Sequence, residues 1–435
     1  MPTVALHTLG CKLNHAETSM ISRQFLEQGY TIVDVGTPAD VCVINTCSVT
    51  ARADRECRQL IRRAVRTSRD PYVVVTGCYA QLEPEEVASI AGVDLVLGAR
   101  EKFELFRHAG GFTHAPYPRV HVSPIDSVET FGVGYTTQGT GRTRAFLKIQ
   151  DGCDYNCSFC TIPRARGGSR SQEARLCLAQ ARDIVASGFR EIVLTGVNIG
   201  DYRDAAGVGF LALLGLLAQT EGLQRLRISS IEPNLLSDDI ISLVAGSDLL
   251  CNHFHIPLQS GSSGILRTMR RRYTTTQYAS LLDRLHERIP ACGIGVDVIV
   301  GFPGETEADF EETCRYLDDL PLTYLHVFTY SERPGTPAAT LPGTVSPAER
   351  ARRNEILRAL SAKKKDAFYR RHVGNRVRVL LESDVTDGFR YGFSDTYVRV
   401  GVPAEGTAEN MLVPVDIAAV SHDACVGRIA SGASA

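Results

Sequence analysis

Between residues 146 and 330 the sequence repeats one pattern six times, and that repetition restricts the fold more than any other feature. Short apolar runs at 146–150, 191–196, 226–230, 253–259, 295–301 and 323–330 are separated by amphipathic stretches of helical period. Runs of that length suit strands covered on both faces, and a helical crossover sets each strand parallel to the one before it. Eight such units close a barrel, so six predict its partial, open form, with any site gathered at the carboxyl ends of the strands.

The flanking segments ask for further domains, as expected of a 435-residue chain. Apolar runs at 4–9, 41–46, 72–77 and 93–97 alternate with helical patterns near 16–28 and 52–66, which predicts a small α/β unit on a parallel sheet. A polar stretch over 116–141, rich in Pro, Gly, Ser and Thr, reads as a linker or long loop. Ser346-Pro347 opens a charged helical pattern to residue 371, and 376–382, 397–400 and 411–417 are short β-type segments suited to a small barrel. The predicted organisation is α/β overall: a parallel-sheet domain over 1–112, a linker over 113–140, a partial (βα)6 barrel with a connecting helix over 141–371, and a small all-β barrel over 372–435.

No run of 18 or more apolar residues occurs, and the first residues lack the pattern of a signal peptide, so a cytoplasmic protein without membrane segments is expected. Thirteen cysteines in a reducing compartment point to metal ligation or catalysis rather than to a disulfide framework. A net charge of −2 leaves a nucleic-acid partner open, because a local basic stripe binds phosphates on a neutral protein.

Cys153, Cys157 and Cys160 lie on one loop directly after the first barrel run. Three thiolates so spaced suit a [4Fe–4S] cluster that keeps one iron open for a ligand; a zinc site completed by a distant His, or plain packing, stands as the alternative. Cys11, Cys47 and Cys78 each follow a predicted parallel strand, at the sheet edge where ligands bind, so they are candidates for a second cluster or else buried structural cysteines. Gly196, Asn198, Ser230, Glu232 and Gly301 sit where the barrel site should form. The two glycines would admit a close backbone approach or serve as turns, and the polar three would bind a ribose or carboxylate. Arg55, Arg58, Arg62 and Arg66 share one face of the 52–66 helix and are candidates for RNA contact, or for a solvated face diluted by Asp54, Glu56 and Asp70. Arg270-Arg271-Arg272 and Lys363-Lys364-Lys365 are lesser basic clusters, and Cys42, Cys57, Cys177, Cys251, Cys292, Cys314 and Cys425 read as packing residues.

The Cys153 loop resembles that of the radical S-adenosylmethionine superfamily, and the likeness to the methylthiotransferase family runs nearly end to end. It is carried by Leu9-Gly-Cys-Lys-Leu-Asn14, Asn45-Thr-Cys-Ser-Val-Thr50, Thr76-Gly-Cys-Tyr-Ala80, Thr161-Ile-Pro-Arg-Ala-Arg-Gly167, Pro257-Leu-Gln-Ser-Gly261 and Tyr330-Ser-Glu-Arg-Pro-Gly-Thr-Pro337, and by a C-terminal segment similar to a TRAM RNA-binding barrel. Gln172 departs from the pattern, which has Arg there. The resemblance implies a catalytic [4Fe–4S] cluster on Cys153, Cys157 and Cys160 that chelates S-adenosylmethionine and yields a 5′-deoxyadenosyl radical, with Phe159 near the adenine. It implies an auxiliary [4Fe–4S] cluster on Cys11, Cys47 and Cys78 that carries the sulfur, and two S-adenosylmethionine molecules per turnover. It further implies the tRNA anticodon stem-loop as partner and a flavodoxin-type reductant; a monomer is expected. The run 45–59 most resembles the branch that acts at C2 of N6-threonylcarbamoyladenosine beside the anticodon. A sister branch acts on N6-isopentenyladenosine, and another on a ribosomal-protein aspartate. A noncatalytic iron–sulfur protein that binds RNA or carries electrons would leave the open iron without a purpose.

Overall fold

The computed structural model describes residues 1–137 and 142–430. The N-terminal domain is a six-stranded, all-parallel sheet in the order β2-β1-β3-β4-β5-β6, with β1 Thr3–Thr8, β2 Thr31–Val33, β3 Val41–Thr46, β4 Tyr72–Gly77, β5 Leu95–Leu97 and β6 Arg119–His121. Strands β3 and β4 are buried at every position, as their near-continuous β-branched sequences require of central parallel strands. Helices α1 (Lys12–Glu27) and α2 (Ala51–Thr67) flank the sheet, and Thr50 caps α2 by accepting from the Ala53 amide. Strand β6 falls inside the stretch read as linker. Its three residues carry no period; backbone pairing with β5 makes the strand, and Arg119 is anchored on the Tyr72 hydroxyl and the Ala109 carbonyl. The last four residues of that stretch, 138–141, lie outside the described residues.

All six predicted barrel strands form. They are β7 Ala145–Lys148, β10 Glu191–Thr195, β11 Arg225–Ile228, β12 His253–His255, β13 Gly293–Val300 and β14 Tyr324–Thr329; the short pair β8 Gln150–Asp151 and β9 Arg170–Ser171 brackets the Cys153 loop. Parallel pairing gives β7-β10-β11 and β12-β13-β14, and the bridges Leu226–Leu250 and Ser230–His255 join the two halves into one curved sheet. Among the described residues no pairing links β7 to β14, so the barrel is open on that side. Helix α1 leans into the opening: Ala16 packs with Phe146 and Val193 in a small apolar cluster of its own.

The helix Pro347–Arg370, capped by Ser346, leads to a closed five-stranded barrel, β15-β16-β17-β19-β18. Its strands are β15 Arg376–Thr386, β16 Phe389–Ser394, β17 Arg399–Pro403, β18 Leu412–Ser421 and β19 Ala424–Ile429. The sequence reading found three of them and passed over β16 and β19, each interrupted by a glycine that breaks the alternation. Residues 431–435 of the predicted C-terminal domain lie outside the described residues. The barrel is fastened to the central sheet by Arg225 and Arg227, whose guanidiniums donate to the carbonyls of Phe393, Ser394 and Asp395.

Candidate active site

Strands β1, β3 and β4 are neighbours, so the loops at their carboxyl ends bring Cys11, Cys47 and Cys78 together. Gly77 precedes Cys78 at φ +97°, and a Cβ there would stand 2.3 Å from the Thr46 carbonyl oxygen; only glycine lets β4 turn this close to the Cys47 loop. The Asn14 amide donates to the carbonyls of Leu9 and Thr46 at 2.7 and 3.0 Å, tying the Cys11 and Cys47 loops to each other. Burial pushes the Cys47 thiol up to about 12, with Cys78 and Cys11 adding to it, so the three sulfurs lie within each other's field. Cys57 stays outside this group: its thiol donates to the Cys47 carbonyl at 3.3 Å from the buried face of α2.

Burial above all, with the neighbouring Cys157 sulfur adding to it, raises the Cys153 thiol to about 11 and the Cys160 thiol to about 12. Bound metal must therefore displace the protons of these raised thiols. Among the described residues no three His, Cys, Asp or Glu side chains close to the spacing of a single ion's ligands. A four-iron cube spreads its thiolates more widely than a single zinc ion does.

The two cysteine loops touch. The Thr161 hydroxyl, next to Cys160, donates to the carbonyl of Ser48, next to Cys47, at 3.5 Å. Beneath them lies a buried ionic network of a kind sequence patterning cannot reveal. Glu17 of α1 accepts from Lys102 at 2.7 Å, Lys148 of β7 at 2.8 Å and Arg166 at 3.0 Å; Asp151 accepts from Lys148 and Arg166 at 2.6 and 3.0 Å. Three enclosed cations thus face two carboxylates, with Arg170 at the rim 3.9 Å from Asp151. Burial raises the Cys78 thiol and Arg166 opposes it, so the excess positive charge lies where a thiolate-bound cluster would place negative charge.

Residues 3–98 match the model of Uncharacterized protein family UPF0004, and residues 147–317 match the Radical SAM superfamily. The threonylcarbamoyladenosine tRNA methylthiotransferase MtaB of Bacillus subtilis is 41% identical over 410 residues, 92% of this chain and 90% of its own. That of Aquifex aeolicus is 38% identical over 87% of this chain and 92% of its own. The chain belongs to the methylthiotransferase family of radical S-adenosylmethionine enzymes. A further relative, the tRNA-2-methylthio-N(6)-dimethylallyladenosine synthase of Koribacter versatilis, is 33% identical over 88% of this chain and 87% of its own. Among solved structures, the radical S-adenosylmethionine methyltransferase TsrM from Kitasatospora setae shares the fold at a TM-score of 0.60 and 15% identity, over 89% of this chain and 79% of that one. This methylthiotransferase is accordingly a transferase that uses a [4Fe–4S] cluster and S-adenosylmethionine.

The remaining predicted residues of the methylthiotransferase fall into distinct settings. Phe159 packs on the cluster of Met269, Phe302 and Tyr330. Ser230 faces an open cavity of about 760 Å³ lined by residues of all three domains. Asn198 is buried with neither amide atom hydrogen bonded; the Tyr155 hydroxyl feels its field without hydrogen-bond geometry. Glu232 is engaged by Arg271 at 2.5 Å, and the same guanidinium donates to the Cys157 sulfur at 3.0 Å. Arg271 therefore leaves the surface cluster in which the sequence placed it: its side chain is 3% exposed and reaches the catalytic loop, while Arg272 lies 3.8 Å over the Tyr155 ring. Gly196 is packed against Ile199 and Gln150, and Gly301 against Arg350, so each has a local packing reason to lack a side chain. Lys363 and Lys365 are paired with Asp318 and Asp423, and Lys364 donates to the Leu320 carbonyl.

On α2, Arg55, Arg62 and Arg66 are exposed, whereas Arg58 is held by the Tyr79 hydroxyl and Glu86 at 2.8 and 2.9 Å. Asp54 does not dilute this face. It is buried and paired with Arg333 at 2.6 Å, and Glu56 is taken by Arg52 at 2.8 Å. The helix presents more unbalanced positive charge than its sequence suggests. Among the described residues no helix is long and apolar enough to cross a membrane.

Proposed function

We propose that this methylthiotransferase inserts a methylthio group at C2 of N6-threonylcarbamoyladenosine beside the anticodon of tRNA, with Cys11, Cys47 and Cys78 holding a second [4Fe–4S] cluster as the sulfur source. The observation that carries this reading is the contact between the Cys47 and Cys160 loops, which sets the two thiol trios side by side. When bound, the groups on these cysteines supply reductive cleavage of S-adenosylmethionine at one trio and transferable sulfur at the other, with two S-adenosylmethionine molecules used per turnover. The chain's own part is to hold the reacting partners together and dry. Arg271 steadies the Cys157 sulfur, Phe159 offers an apolar wall for the adenine, and Asn198, Ser230 and Glu232 with its Arg271 supply the polar contacts.

Relatives named for the threonylcarbamoyl nucleoside reach 41% and 38% identity against 33% for the dimethylallyl branch, which supports the choice of nucleoside. The test is turnover by the anaerobic holoenzyme on anticodon stem-loops carrying either nucleoside, read by nucleoside mass analysis. Methylthiolation of the threonylcarbamoyl form is expected; modification of only the isopentenyl form, or of neither, would refute the assignment. A flavodoxin-type reductant, a monomeric state and a cytosolic setting accompany the reading.

The exposed cationic face of α2 is proposed to take the RNA backbone through Arg55, Arg62 and Arg66, with Arg58 contributing less because Glu86 already neutralises it. Arg62→Glu with Arg66→Glu should weaken stem-loop binding most at low salt. The slope of log K against log salt should shrink in magnitude by about 1.5 if two phosphate contacts are lost. An unchanged slope with equal loss of S-adenosylmethionine cleavage would mean that the helix is only structural.

A further inference from the structure

The cavity of about 760 Å³ lies between the Cys11 loop, the open barrel and the C-terminal barrel. Its size suits a modified nucleoside. An aromatic stack forms part of its wall: Tyr397 lies between His253 and Phe393, each ring centroid 4.7 Å away. The charges on this wall are unequal. Asp297 is taken by His255 at 2.9 Å, Glu382 by Arg144 at 3.0 Å, and Glu191, beneath the wall, by Arg227 at 2.7 Å. Lys12, exposed where it lines the cavity, makes no ion pair among the described residues, and Asp297 and Tyr397 act on it only from a distance. Arg142 lies over the Phe146 ring at 5.6 Å and bonds His15, one turn along α1 from Lys12, which accepts from it at 3.0 Å and is kept neutral because burial, aided by Arg142, pushes its pKa down to about 4. A cation that lines the cavity without an ion-pair partner is free to make a charge-assisted contact with a ligand that brings an anion.

Position narrows the ligand. Lys12 is the residue after Cys11 and the first of α1, so its ammonium belongs to the loop proposed to hold the transferable sulfur. On an adenine ring C2 and C6 are separated only by N1, so a group carried on N6 reaches the surroundings of whatever delivers sulfur to C2. A threonine joined through its amine to a carbamoyl group keeps its α-carboxylate, whereas an isopentenyl group has no polar atom.

We infer that Lys12 is a specificity-determining residue that pairs with a carboxylate on the N6 substituent of the target adenosine, with Arg142 supplying a supporting field beside His15. The inference rests on the threonylcarbamoyl reading and assigns its selectivity to one side chain. It also accounts for a wall that carries ammonium, guanidinium and imidazole groups where an isopentenyl pocket would be apolar.

The test uses the anaerobic holoenzyme and three anticodon stem-loops, carrying threonylcarbamoyladenosine, its threonine methyl ester, or isopentenyladenosine, with dissociation constants measured by fluorescence anisotropy. The unaltered enzyme is expected to bind the acid at least about tenfold more tightly than the ester, the size of one charge-assisted contact. In Lys12→Gln that ratio should collapse towards one, whereas Lys12→Arg should keep most of it; iron content measured alongside reports whether the neighbouring Cys11 is still ligated. Equal binding of acid and ester by the unaltered enzyme overturns the inference even if the variants fail to fold. So does a Lys12→Gln enzyme that weakens acid and ester alike, or that loses affinity for S-adenosylmethionine instead, which would make the cosubstrate carboxylate the partner. If the unaltered enzyme prefers the isopentenyl stem-loop, the nucleoside assignment itself falls. If it prefers the acid but Lys12→Gln keeps the full ratio over ester, only the role of Lys12 falls.

Discussion

Replacing Cys11, Cys47 and Cys78 together by alanine is expected to lower the iron content of anaerobically prepared protein from about eight to about four atoms per chain. Methylthio insertion should be abolished, with cleavage of S-adenosylmethionine still detectable at the remaining cluster. Replacing Cys153, Cys157 and Cys160 should remove both activities. The asymmetry follows from the fold: one trio closes the N-terminal sheet and the other begins the barrel, so each is built by a separate set of strands. Cys57→Ala is the control, because its thiol points at the Cys47 carbonyl and not at the other sulfurs. An unaltered protein that holds only about four irons, unaffected by the first replacement, would end the sulfur-donor account.

The second large effect concerns stability. Glu17 is fully enclosed and is the one carboxylate that touches Lys102, Lys148 and Arg166 together. Glu17→Gln keeps the shape but leaves three buried cations facing Asp151 alone, a loss of about 3–5 kcal/mol, read as a drop in melting temperature on the order of 10 °C. Glu349→Gln, which removes one partner from Arg352 and one from Arg353 while Glu307 still pairs with both, should cost far less. A Glu17 variant as stable as the Glu349 variant would mean that the network is hydrated rather than buried. The pH dependence has a definite sign. Burial alone would raise the Glu17 carboxyl, but Arg166, Lys102 and Lys148 outweigh it and hold it well below its ordinary value of 4.5. A depressed carboxylate stabilises fully above its unfolded-state pKa, and that stabilisation fades as the pH falls from there towards the folded-state value. Acid titration of the unaltered protein should show this decline, and the Glu17→Gln protein should show less of it.

Strand positions were legible wherever burial is two-sided. The apolar runs at 41–46 and 72–77 coincide with β3 and β4 because central parallel strands have no polar face to blur the signal. Cys11, Cys47 and Cys78 could be grouped for the same reason, since a sheet edge follows directly from strand ends. Edge strands were not legible: Thr31–Val33 and Arg119–His121 owe their conformation to a neighbour's backbone, and three residues are too few for a period. Arg271 was misplaced because a run of three arginines looks solvated, and only the fold shows that the middle one meets Glu232 and Cys157. The Glu17 network was invisible for a related reason, since its members span residues 17 to 166 and each alone reads as an ordinary surface charge.

That network has a consequence for how such a chain can be divided or recombined. Glu17 and Lys102 belong to the N-terminal domain, whereas Lys148, Asp151 and Arg166 belong to the barrel, and Asp54 on α2 is matched by Arg333 beyond β14. Either half expressed separately would carry orphaned charges on the surface it is meant to bury. A graft of this N-terminal domain onto a foreign barrel would need the same ionic partners at matching places.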